Sequence, residues 1–333
     1  MLVCAIDVGY GNVKFSRTEN GMTRYDHFPS IAALSLHDGE VGDGVTARKD
    51  IIPVTVGNES YRVGKDAALA LPANESGRIL NPDYHKSNPY LALFRGALGY
   101  MGKPRVIDLL VTGLPVEHFL SGGERGILEA RITGEHAFPD GSSVLIKQGW
   151  AIPQPVGGFL QHAWSTGVYD ELRESLCLVV DCGFGTVDWV VSKGLKVTWE
   201  RSGSVPGGLS QPLTRLAKAI SDEQDGVFVD IDLLDAAVRG GRKIDLFGSP
   251  YDFGHLLPKV MPMMDQVANS LLDRVGRLSD ISAVVLVGGG APLYLESIRK
   301  ICPRNRLVLV DEALYANVKG YLLAGERRIK THG

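Results

Sequence analysis

One eight-residue pattern occurs twice in this chain. IDVGYGNV begins at Ile6 and VDCGFGTV begins at Val180. Each copy runs through an aliphatic residue, an aspartate, a small residue, a glycine, an aromatic residue, a glycine, a small polar residue and a valine. The copies start about half a chain apart, and 333 residues are enough for two domains of roughly 150 residues each. The repeat therefore predicts two similar half-folds.

The pattern is typical of a tight β-hairpin that binds an anion. A strand that ends in aspartate and enters Gly-x-Gly can turn sharply, because glycine adopts positive φ angles that strain other residues. The backbone N–H groups that such a turn presents form a concave site suited to phosphate. Lys14 lies on the strand that leaves the first turn and is placed to meet a β- or γ-phosphate as a point charge.

Asp7 and Asp181 end the strands of the two copies. Two carboxylates in one site would repel a phosphate, so a hydrated cation between them reconciles the charges. Mg²⁺ fits, because it keeps several waters and is bound through one or two carboxylates together with phosphates. Neither copy has the third glycine of a dinucleotide fingerprint, and no G-x-x-x-x-G-K-[ST] occurs. The sequence therefore predicts a nucleotide gripped between two hairpins.

The order of apolar runs, turns and helical patterns predicts an α/β fold. We expect a first domain over residues 1–168, completed by a C-terminal helix over 313–333, and a second domain over 169–312. Each domain is expected to carry an insertion subdomain, at about 31–72 and about 208–255. The Gly- and Asp-rich stretch 37–50 within the first insertion is expected to be a mobile, exposed loop.

Composition and charge narrow the class of protein. The chain is 44% hydrophobic and 22% charged with a net charge of −3, so nothing in the bulk electrostatics calls for nucleic acid or an anionic membrane. Its four cysteines show no metal-ligand spacing and are expected to be reduced core thiols in a cytoplasmic protein. No apolar run approaches the roughly 20 residues that span a bilayer, and the N-terminus has no signal-peptide pattern.

Five segments carry a resemblance to a known family. In order, they are IDVGYGNVK, IPQPVGGF, VVDCGFGTVDW, VVLVGGGAP and ANVKGYLLAG. The set resembles the phosphate-1, connect-1, phosphate-2, adenosine and connect-2 segments of the actin, Hsp70 and sugar-kinase ATPase superfamily. Within it, the chain is most similar to bacterial plasmid-segregation actins of the ParM or StbA-like group. The resemblance implies two actin-like (RNase H-like) domains that face each other across a nucleotide cleft.

The resemblance also implies roles for individual residues. Asp7 and Asp181 would position Mg²⁺ through water, and the segments that hold the nucleotide would be formed by Gly9, Tyr10, Gly11, Asn12 and Lys14, by Gly183, Phe184, Gly185 and Thr186, by Gly207 and Gly208, and by Gly288, Gly289 and Gly290. Asp188 occupies a position where many relatives have aspartate, and a structural role in the turn and a catalytic role both stay open. Lys14 in the first copy occupies the position that Asp188 has in the second. This difference predicts that the first hairpin binds phosphate and that the second acts on the metal ion and the water.

Gln154 is an informative departure from the family pattern. ParM-like proteins usually have glutamate at this point, where it orients or activates the attacking water. Glutamine cannot accept a proton as a general base, but it can orient water by donating one hydrogen bond and accepting another. The sequence therefore predicts slow ATP hydrolysis, with Gln154, Asp7 and Asp181 as the catalytic set.

Three classes of function fit these residues. The favoured one is an ATPase that polymerises head to tail into cytomotive filaments for plasmid segregation, with ATP or GTP, Mg²⁺ and a DNA-binding adaptor protein as partners, and with no direct contact to nucleic acid or membrane. The second is a small-molecule kinase, for which Asp83 is the one candidate base. The third is a non-polymerising nucleotide switch, and an MreB-like cytoskeletal protein is a neighbouring alternative.

Overall fold

A computed structural model describes residues 1–35, 49–72, 77–79, 81, 83–241 and 243–332. The loop expected at 37–50 lies outside these residues, apart from its last two positions. Nothing in the described part of the chain is both long and apolar enough, as a helix, to cross a membrane. The described elements include both strands and helices, with parallel and antiparallel strand pairs in the main sheets, which confirms the predicted α/β class.

The first half of the chain is rich in strands. Its elements are β1 (Val3–Val8), β2 (Asn12–Glu19), β3 (Met22–Pro29), β4 (Ala33–Leu34), β5 (Ile52–Val56), β6 (Glu59–Val63), α1 (Asn88–Tyr100), β7 (Val106–Ile107), β8 (Leu109–Leu114), α2 (Val116–Leu120), α3 (Glu124–Ile132), β9 (Gly134–Ala137), β10 (Ser143–Ile146) and β11 (Gly149–Pro153).

The second half contains the longer helices. Its elements are α4 (Gln154–Ser165), α5 (Tyr169–Glu174), β12 (Leu176–Cys182), β13 (Thr186–Lys193), β14 (Lys196–Pro206), α6 (Ser210–Glu223), α7 (Ile231–Gly240), β15 (Ile244–Leu246), β16 (Ser249–Tyr251), α8 (Met261–Val275), β17 (Ile281–Val287), α9 (Ala291–Ile301), β18 (Arg306–Leu309) and α10 (Ala316–His332).

Cα proximity divides the chain into two compact units. Unit 1 contains residues 1–114, 118–153 and 318–333, and unit 2 contains residues 115–117 and 154–317. The sequence placed the boundary after residue 168, whereas this division assigns α4 to unit 2. The reason is that α4 packs on β12, β13 and β17. Gly158 permits this approach, since a Cβ there would lie 2.8 Å from a methyl carbon of Val287.

The main sheets of the two units have the same topology. In unit 1 the strand order is β11-β8-β1-β2-β3, with β1 and β2 antiparallel and β8 parallel to both β1 and β11. In unit 2 the order β14-β13-β12-β17-β18 repeats this arrangement, with β12 in the place of β1 and β17 in the place of β8. The repeat in the sequence thus corresponds to a repeat in strand order and direction.

Each unit has its own hydrophobic core. In unit 1, side chains such as Ile6, Phe15 and Phe94 are fully buried, and in unit 2 the largest buried side chains are Trp189 and Tyr294. Residues within both expected insertions join these cores, because β5 and β6 contribute to the first and α6, α7 and β15 to the second. All four cysteines are buried and free, as the sequence predicts.

Candidate functional site

The first hairpin joins β1 to β2 through the turn that starts at Gly9. The Gly9 N–H donates to the Asn12 carbonyl oxygen at 3.2 Å and closes the turn. Asp7 lies directly opposite Lys14 in the register of the two strands, and the Lys14 Nζ is 3.1 Å from the Asp7 Oδ2. Asp7 is 2% exposed. Because this carboxylate is buried, the lysine is its charge partner within unit 1.

The carbonyl groups of the first turn are engaged with protein donors. The Ser30 N–H donates to the Gly11 oxygen at 3.0 Å, and the Ser30 hydroxyl donates to the Gly9 oxygen at 2.6 Å. Arg78 donates to the oxygens of both Tyr10 and Gly11. These bonds occupy the oxygens that would repel an anion, and the guanidinium adds positive charge at the turn. Sequence reasoning missed Arg78, because it lies outside the repeated pattern.

Tyr10, at the tip of the first turn, packs within its own unit. Its ring stacks on that of Tyr84 with centroids 5.1 Å apart, and its hydroxyl donates to the Asn81 carbonyl at 3.1 Å. This side chain therefore fixes the turn to the segment before α1. Phe184, its counterpart in the second turn, is partly buried against the core of unit 2.

The second hairpin repeats the closing bond of the first. The Gly183 N–H donates to the Thr186 carbonyl oxygen at 3.0 Å. Gly207 and Gly208, which were expected to line the nucleotide, both donate their N–H groups to the Gly185 oxygen, at 3.3 and 3.1 Å. A Cβ on Gly208 would lie 2.5 Å from the Phe184 oxygen, so the backbone can come this close only where there is no side chain. The two glycines thus buttress the second hairpin.

Asp188 serves this hairpin as a structural partner. Its carboxylate accepts a hydrogen bond from the Thr186 hydroxyl at 2.6 Å and another from the Val116 N–H at 2.9 Å. Burial raises the pKa of this carboxyl, although the hydrogen bonds from Thr186, Val116 and Ser204 oppose the shift. These contacts explain why the segment 115–117, which follows β8, belongs to unit 2.

Asp181 is the last but one residue of β12 and has close neighbours on two sides. The Asn317 Nδ2 donates to its Oδ2 at 2.6 Å, and both residues are buried. On the other side, a Cβ on Gly288 would lie 2.3 Å from the Asp181 Oδ1, and Gly288 has a φ of +87°. The Gly290 N–H also donates to the Cys182 oxygen at 2.8 Å. The three-glycine segment after β17 therefore lies directly against the strand end that leads into the second hairpin.

A charged pair on α7 lies beside this glycine segment. Asp235 and Arg239 form an ion pair with a 2.8 Å separation of Nη2 and Oδ2, and the Asp235 side chain is 4% exposed. A Cβ on Gly289 would lie 3.4 Å from the Arg239 Cδ and 3.2 Å from a methyl carbon of Leu314. Sequence reasoning missed this pair, because two charges four residues apart on a helix are typical of any solvated face.

Gln154 is the first residue of α4 and follows directly on β11. β11 is an edge strand of the unit 1 sheet. The role of Gln154 in orienting water stays a prediction. The candidate base for a kinase, Asp83, is 70% exposed and pairs with Lys86 at 2.9 Å.

The residues present fit an indirectly bound magnesium ion. Among the described residues, no group of three His, Cys, Asp or Glu side chains is placed to hold a metal ion. Asp7 and Asp181 instead provide one buried carboxylate at the end of the equivalent strand of each unit. Mg²⁺ is commonly held by one or two carboxylates, waters and substrate phosphates, so each of these carboxylates, taken within its own unit, is a suitable donor.

Two family models cover most of the chain. Residues 5–157 match the N-terminal domain of actin-like proteins, and residues 179–300 match the C-terminal part of the archaeal, MreB-like actin homologues. Each range contains one of the two hairpins. The chain is an actin-like protein. Its two units, each with the same strand order and one hairpin, correspond to the two halves of the actin-like fold.

Known relatives are similar to this actin-like protein over almost its whole length. An archaeal actin homologue from Thermoplasma volcanium is 24% identical over 98% of this chain and 99% of its own length. A crystal structure of an archaeal actin homologue in complex with ADP has a TM-score of 0.77 at 22% identity and covers 98% of this chain and all of its own. The ParM of a 15-stranded filament from Clostridium botulinum has a TM-score of 0.72 at 24% identity, with 98% and 100% coverage.

Proposed function

We propose that this actin-like protein binds ATP with Mg²⁺, hydrolyses it slowly and assembles with copies of itself into filaments. The observation that carries the proposal is the duplicated hairpin. In each unit the same N–H···O bond closes the turn, from Gly9 to Asn12 and from Gly183 to Thr186, and a buried aspartate ends the preceding strand. Each unit thereby contributes one phosphate-binding turn and one carboxylate to nucleotide binding.

Two relatives support the proposal from outside the chain. The archaeal actin homologue was crystallised with ADP, and the Clostridium botulinum ParM forms a filament. Those properties belong to those proteins. The shared fold over almost the whole chain is the reason for extending them to this chain.

The side chains divide the work of nucleotide chemistry. Lys14 and the turn N–H groups bind phosphate oxygens, and Gln154 orients the attacking water through its amide. Asp7 and Asp181 would hold Mg²⁺ through water. When bound, the ion neutralises charge on the phosphates. Because Gln154 has no carboxylate to accept a proton, hydrolysis depends on positioning and is slow.

Filament formation follows from a head-to-tail contact between identical subunits, since a heterologous interface that does not close into a ring extends without limit. We propose that bound ATP favours this contact and that hydrolysis weakens it. Plasmid segregation through a DNA-binding adaptor protein is the use that the ParM-like resemblance favours. The net charge of −3 fits a protein that does not contact DNA directly.

The test is assembly on addition of nucleotide. Light scattering and pelleting are followed for the full chain with ATP and Mg²⁺, with GTP and Mg²⁺, with ADP, and with ATP in EDTA. Growth with a triphosphate and Mg²⁺, followed by decay as phosphate is released, is the expected result. Absence of any pelletable polymer across salt and protein concentration would contradict filament formation, while retained nucleotide binding would then favour a non-polymerising switch.

A further inference from the structure

Asn317 donates a hydrogen bond to Asp181, one of the two candidate carboxylates for Mg²⁺. It is the second residue of α10, and its Nδ2 donates to the Asp181 Oδ2 at 2.6 Å across 136 positions of sequence. Asn317 is 5% exposed and Asp181 is 6% exposed. A carboxylate only accepts hydrogen bonds, so the amide must turn its NH₂ group, not its oxygen, toward Asp181. The carboxylate thus sets the orientation of the amide.

The amide oxygen of Asn317 shows that packing alone does not account for asparagine at this position. The Asn317 Oδ1 is buried and has no hydrogen-bond partner among the residues described. A buried amide oxygen without a partner destabilises the folded state. An apolar side chain of similar shape would avoid that cost. The polar residue is therefore accounted for by its bond to Asp181.

The environment of Asp181 explains why a neutral donor stands there. The residue opposite it in the β12–β13 register is Asp188, a second carboxylate. Like charges directly opposite each other destabilise an antiparallel pair. In unit 1 the same register position holds Lys14, which pairs with Asp7. In unit 2 a donor to Asp181 comes from Asn317 on a helix.

Helix α10 extends from this contact into the other unit. Its residues up to Asn317 belong to unit 2, and those from Val318 onward belong to unit 1. Within unit 1 the helix closes on the main sheet, because a Cβ on Gly325 would lie 2.6 Å from Val3 on β1 and 2.8 Å from Val111 on β8. β1 is the strand that leads to Asp7. Within unit 1, the helix from Val318 onward therefore packs on the main sheet.

We propose that Asn317 is a positioning residue that orients Asp181 for the Mg²⁺-bound nucleotide and connects the state of that carboxylate to α10. This inference rests on the proposed nucleotide-binding function. Residues that orient the ligands of a metal usually act through a hydrogen bond of this kind. When Mg²⁺-nucleotide binds at Asp181, the hydrogen bond transmits the change to the first turn of α10. From Val318 onward this helix belongs to unit 1.

The test is a double-mutant cycle on nucleotide affinity. The affinity of the full chain for fluorescent ADP is measured with Mg²⁺ and with EDTA, and the ratio gives the gain due to Mg²⁺. Asn317→Leu should reduce that gain about tenfold, the lower end of what loss of such a partner costs in metal sites, and leave the affinity in EDTA nearly unchanged. Asp181→Asn should abolish the gain. In the Asp181→Asn background, Asn317→Leu should then have no further effect, because the two residues act as one unit.

Asn305→Leu is the matched control. Asn305 also donates from its Nδ2 within unit 2, but to the Leu278 and Ile281 oxygens, at 2.9 and 2.8 Å, and not to a carboxylate of a hairpin. It should lower stability and keep the gain due to Mg²⁺. If Asn317→Leu does not fold, Asn317→Ala is measured in the same way.

A second measurement follows α10 itself. Amide hydrogen exchange in residues 318–325 should slow when the wild-type chain binds Mg²⁺-ADP, and this change should be lost in Asn317→Leu while protection of the β1–β2 hairpin is kept. Equal Mg²⁺-dependent gains in wild type and variant, or additive effects in the cycle, overturn the inference and leave nucleotide binding standing. A wild-type chain that binds no nucleotide overturns both.

Discussion

The Lys14 ammonium lies 3.1 Å from the Asp7 carboxylate, directly across the β1–β2 register. At the same register position in unit 2, Asp181 faces Asp188. The buried aspartate near the end of the equivalent strand is therefore stabilised by a different kind of partner in each unit. In unit 1 the neighbouring strand supplies a cation, whereas in unit 2 an amide from α10 supplies a neutral donor and Asp188 turns to Thr186 and Val116.

Lys14→Met is expected to weaken nucleotide binding and to destabilise unit 1. Its loss removes a hydrogen bond to a charged group, which is worth about 1.5–3 kcal/mol, and leaves Asp7 buried without its cation. Isothermal titration should show a larger loss for ATP than for ADP. Lys65→Met is the control, because Lys65 pairs with Asp26 at the same 3.1 Å but is nearly half exposed. Equal affinities for Lys14→Met and wild type would contradict phosphate binding by Lys14.

Gly288→Ala is expected to be strongly destabilising. Gly288 has a φ of +87°, and its Cβ would lie 2.3 Å from the Asp181 Oδ1. Gly226 has nearly the same φ, +86°, with nothing within 4 Å of its Cβ position. Gly226→Ala should therefore cost only the left-handed backbone penalty of about 1–2 kcal/mol, and Gly288→Ala distinctly more. Urea unfolding compares the two, and equal losses would mean that the segment after β17 can move away from Asp181.

Asp188→Asn should change the pH dependence of stability. Burial raises the pKa of Asp188 in the folded state above its ordinary value of 3.8, so the folded state binds this proton more tightly than the unfolded chain. The contribution of Asp188 is then fully present below 3.8 and is lost as the pH rises through the folded pKa. Relative to wild type, Asp188→Asn should thus be more favourable at neutral than at acidic pH. Urea titrations at both pH values check the sign.

Asp188→Ala provides the contrast to this substitution. An asparagine oxygen can still accept from the Val116 N–H, whereas alanine leaves that buried donor and the Thr186 hydroxyl without a partner. We expect Asp188→Ala to lose stability at every pH, by about 1–3 kcal/mol for each orphaned group. An Asp188→Asn variant as unstable as Asp188→Ala would show that the charge itself is required.

Arg239→Ala should cost more stability than Asp235→Asn. Removing the arginine leaves a carboxylate that is 4% exposed without its cation, and breaking a buried pair from one side costs about 3–5 kcal/mol. Asparagine at 235 still presents an oxygen to Arg239. The exposed pair Lys218–Asp222 has the same spacing on α6, so Lys218→Ala should change stability by no more than about 0.5 kcal/mol. Chemical denaturation ranks the three, and the reverse order for Arg239 and Asp235 would refute the argument.

Gln154→Ala should slow phosphate release with little change in ATP affinity, because the amide acts on water and not on the nucleotide. Gln154→Glu adds a general base and is expected to raise the rate of hydrolysis, within the range of about 10²–10⁴-fold that positioned bases contribute. Gln161→Ala, on the same helix, is the control and should leave phosphate release unchanged. Steady-state phosphate release unchanged in Gln154→Ala would exclude a role in orienting water.

Much of the fold could be predicted because it is written in short patterns. Asp-x-Gly-x-Gly predicts both hairpins, since turn formation depends on residues that are adjacent in the chain. Apolar residues recur at spacings of three and four from Leu257 to Val275, which predicts an amphipathic helix, and α8 confirms it, with Met264, Leu271 and Val275 buried. The predicted start was wrong: Leu257 lies in a short 3₁₀ segment, and α8 begins only at Met261, with Pro262 in its first turn.

Contacts between distant segments could not be predicted in the same way. Arg78 reaches the first turn from 67 positions away, and nothing in its neighbourhood distinguishes it from a solvated arginine. Asn317 lies in a segment that the sequence assigns to the family, yet its bond to Asp181 depends on where α10 begins. The placement of α4 in unit 2 likewise depends on packing against β17.

The sequence by itself determined the α/β class, the two Gly-x-Gly turns and the aspartate that precedes each, because these follow from local backbone geometry and from periodic burial. Only the tertiary structure decided the partners of those aspartates. Whether a buried carboxylate meets a lysine, an asparagine or a second carboxylate depends on strand register and helix packing, and the free energy of a buried charge is set by that partner. The difference between Asp7 with Lys14 and Asp181 with Asn317 is therefore a property of the fold.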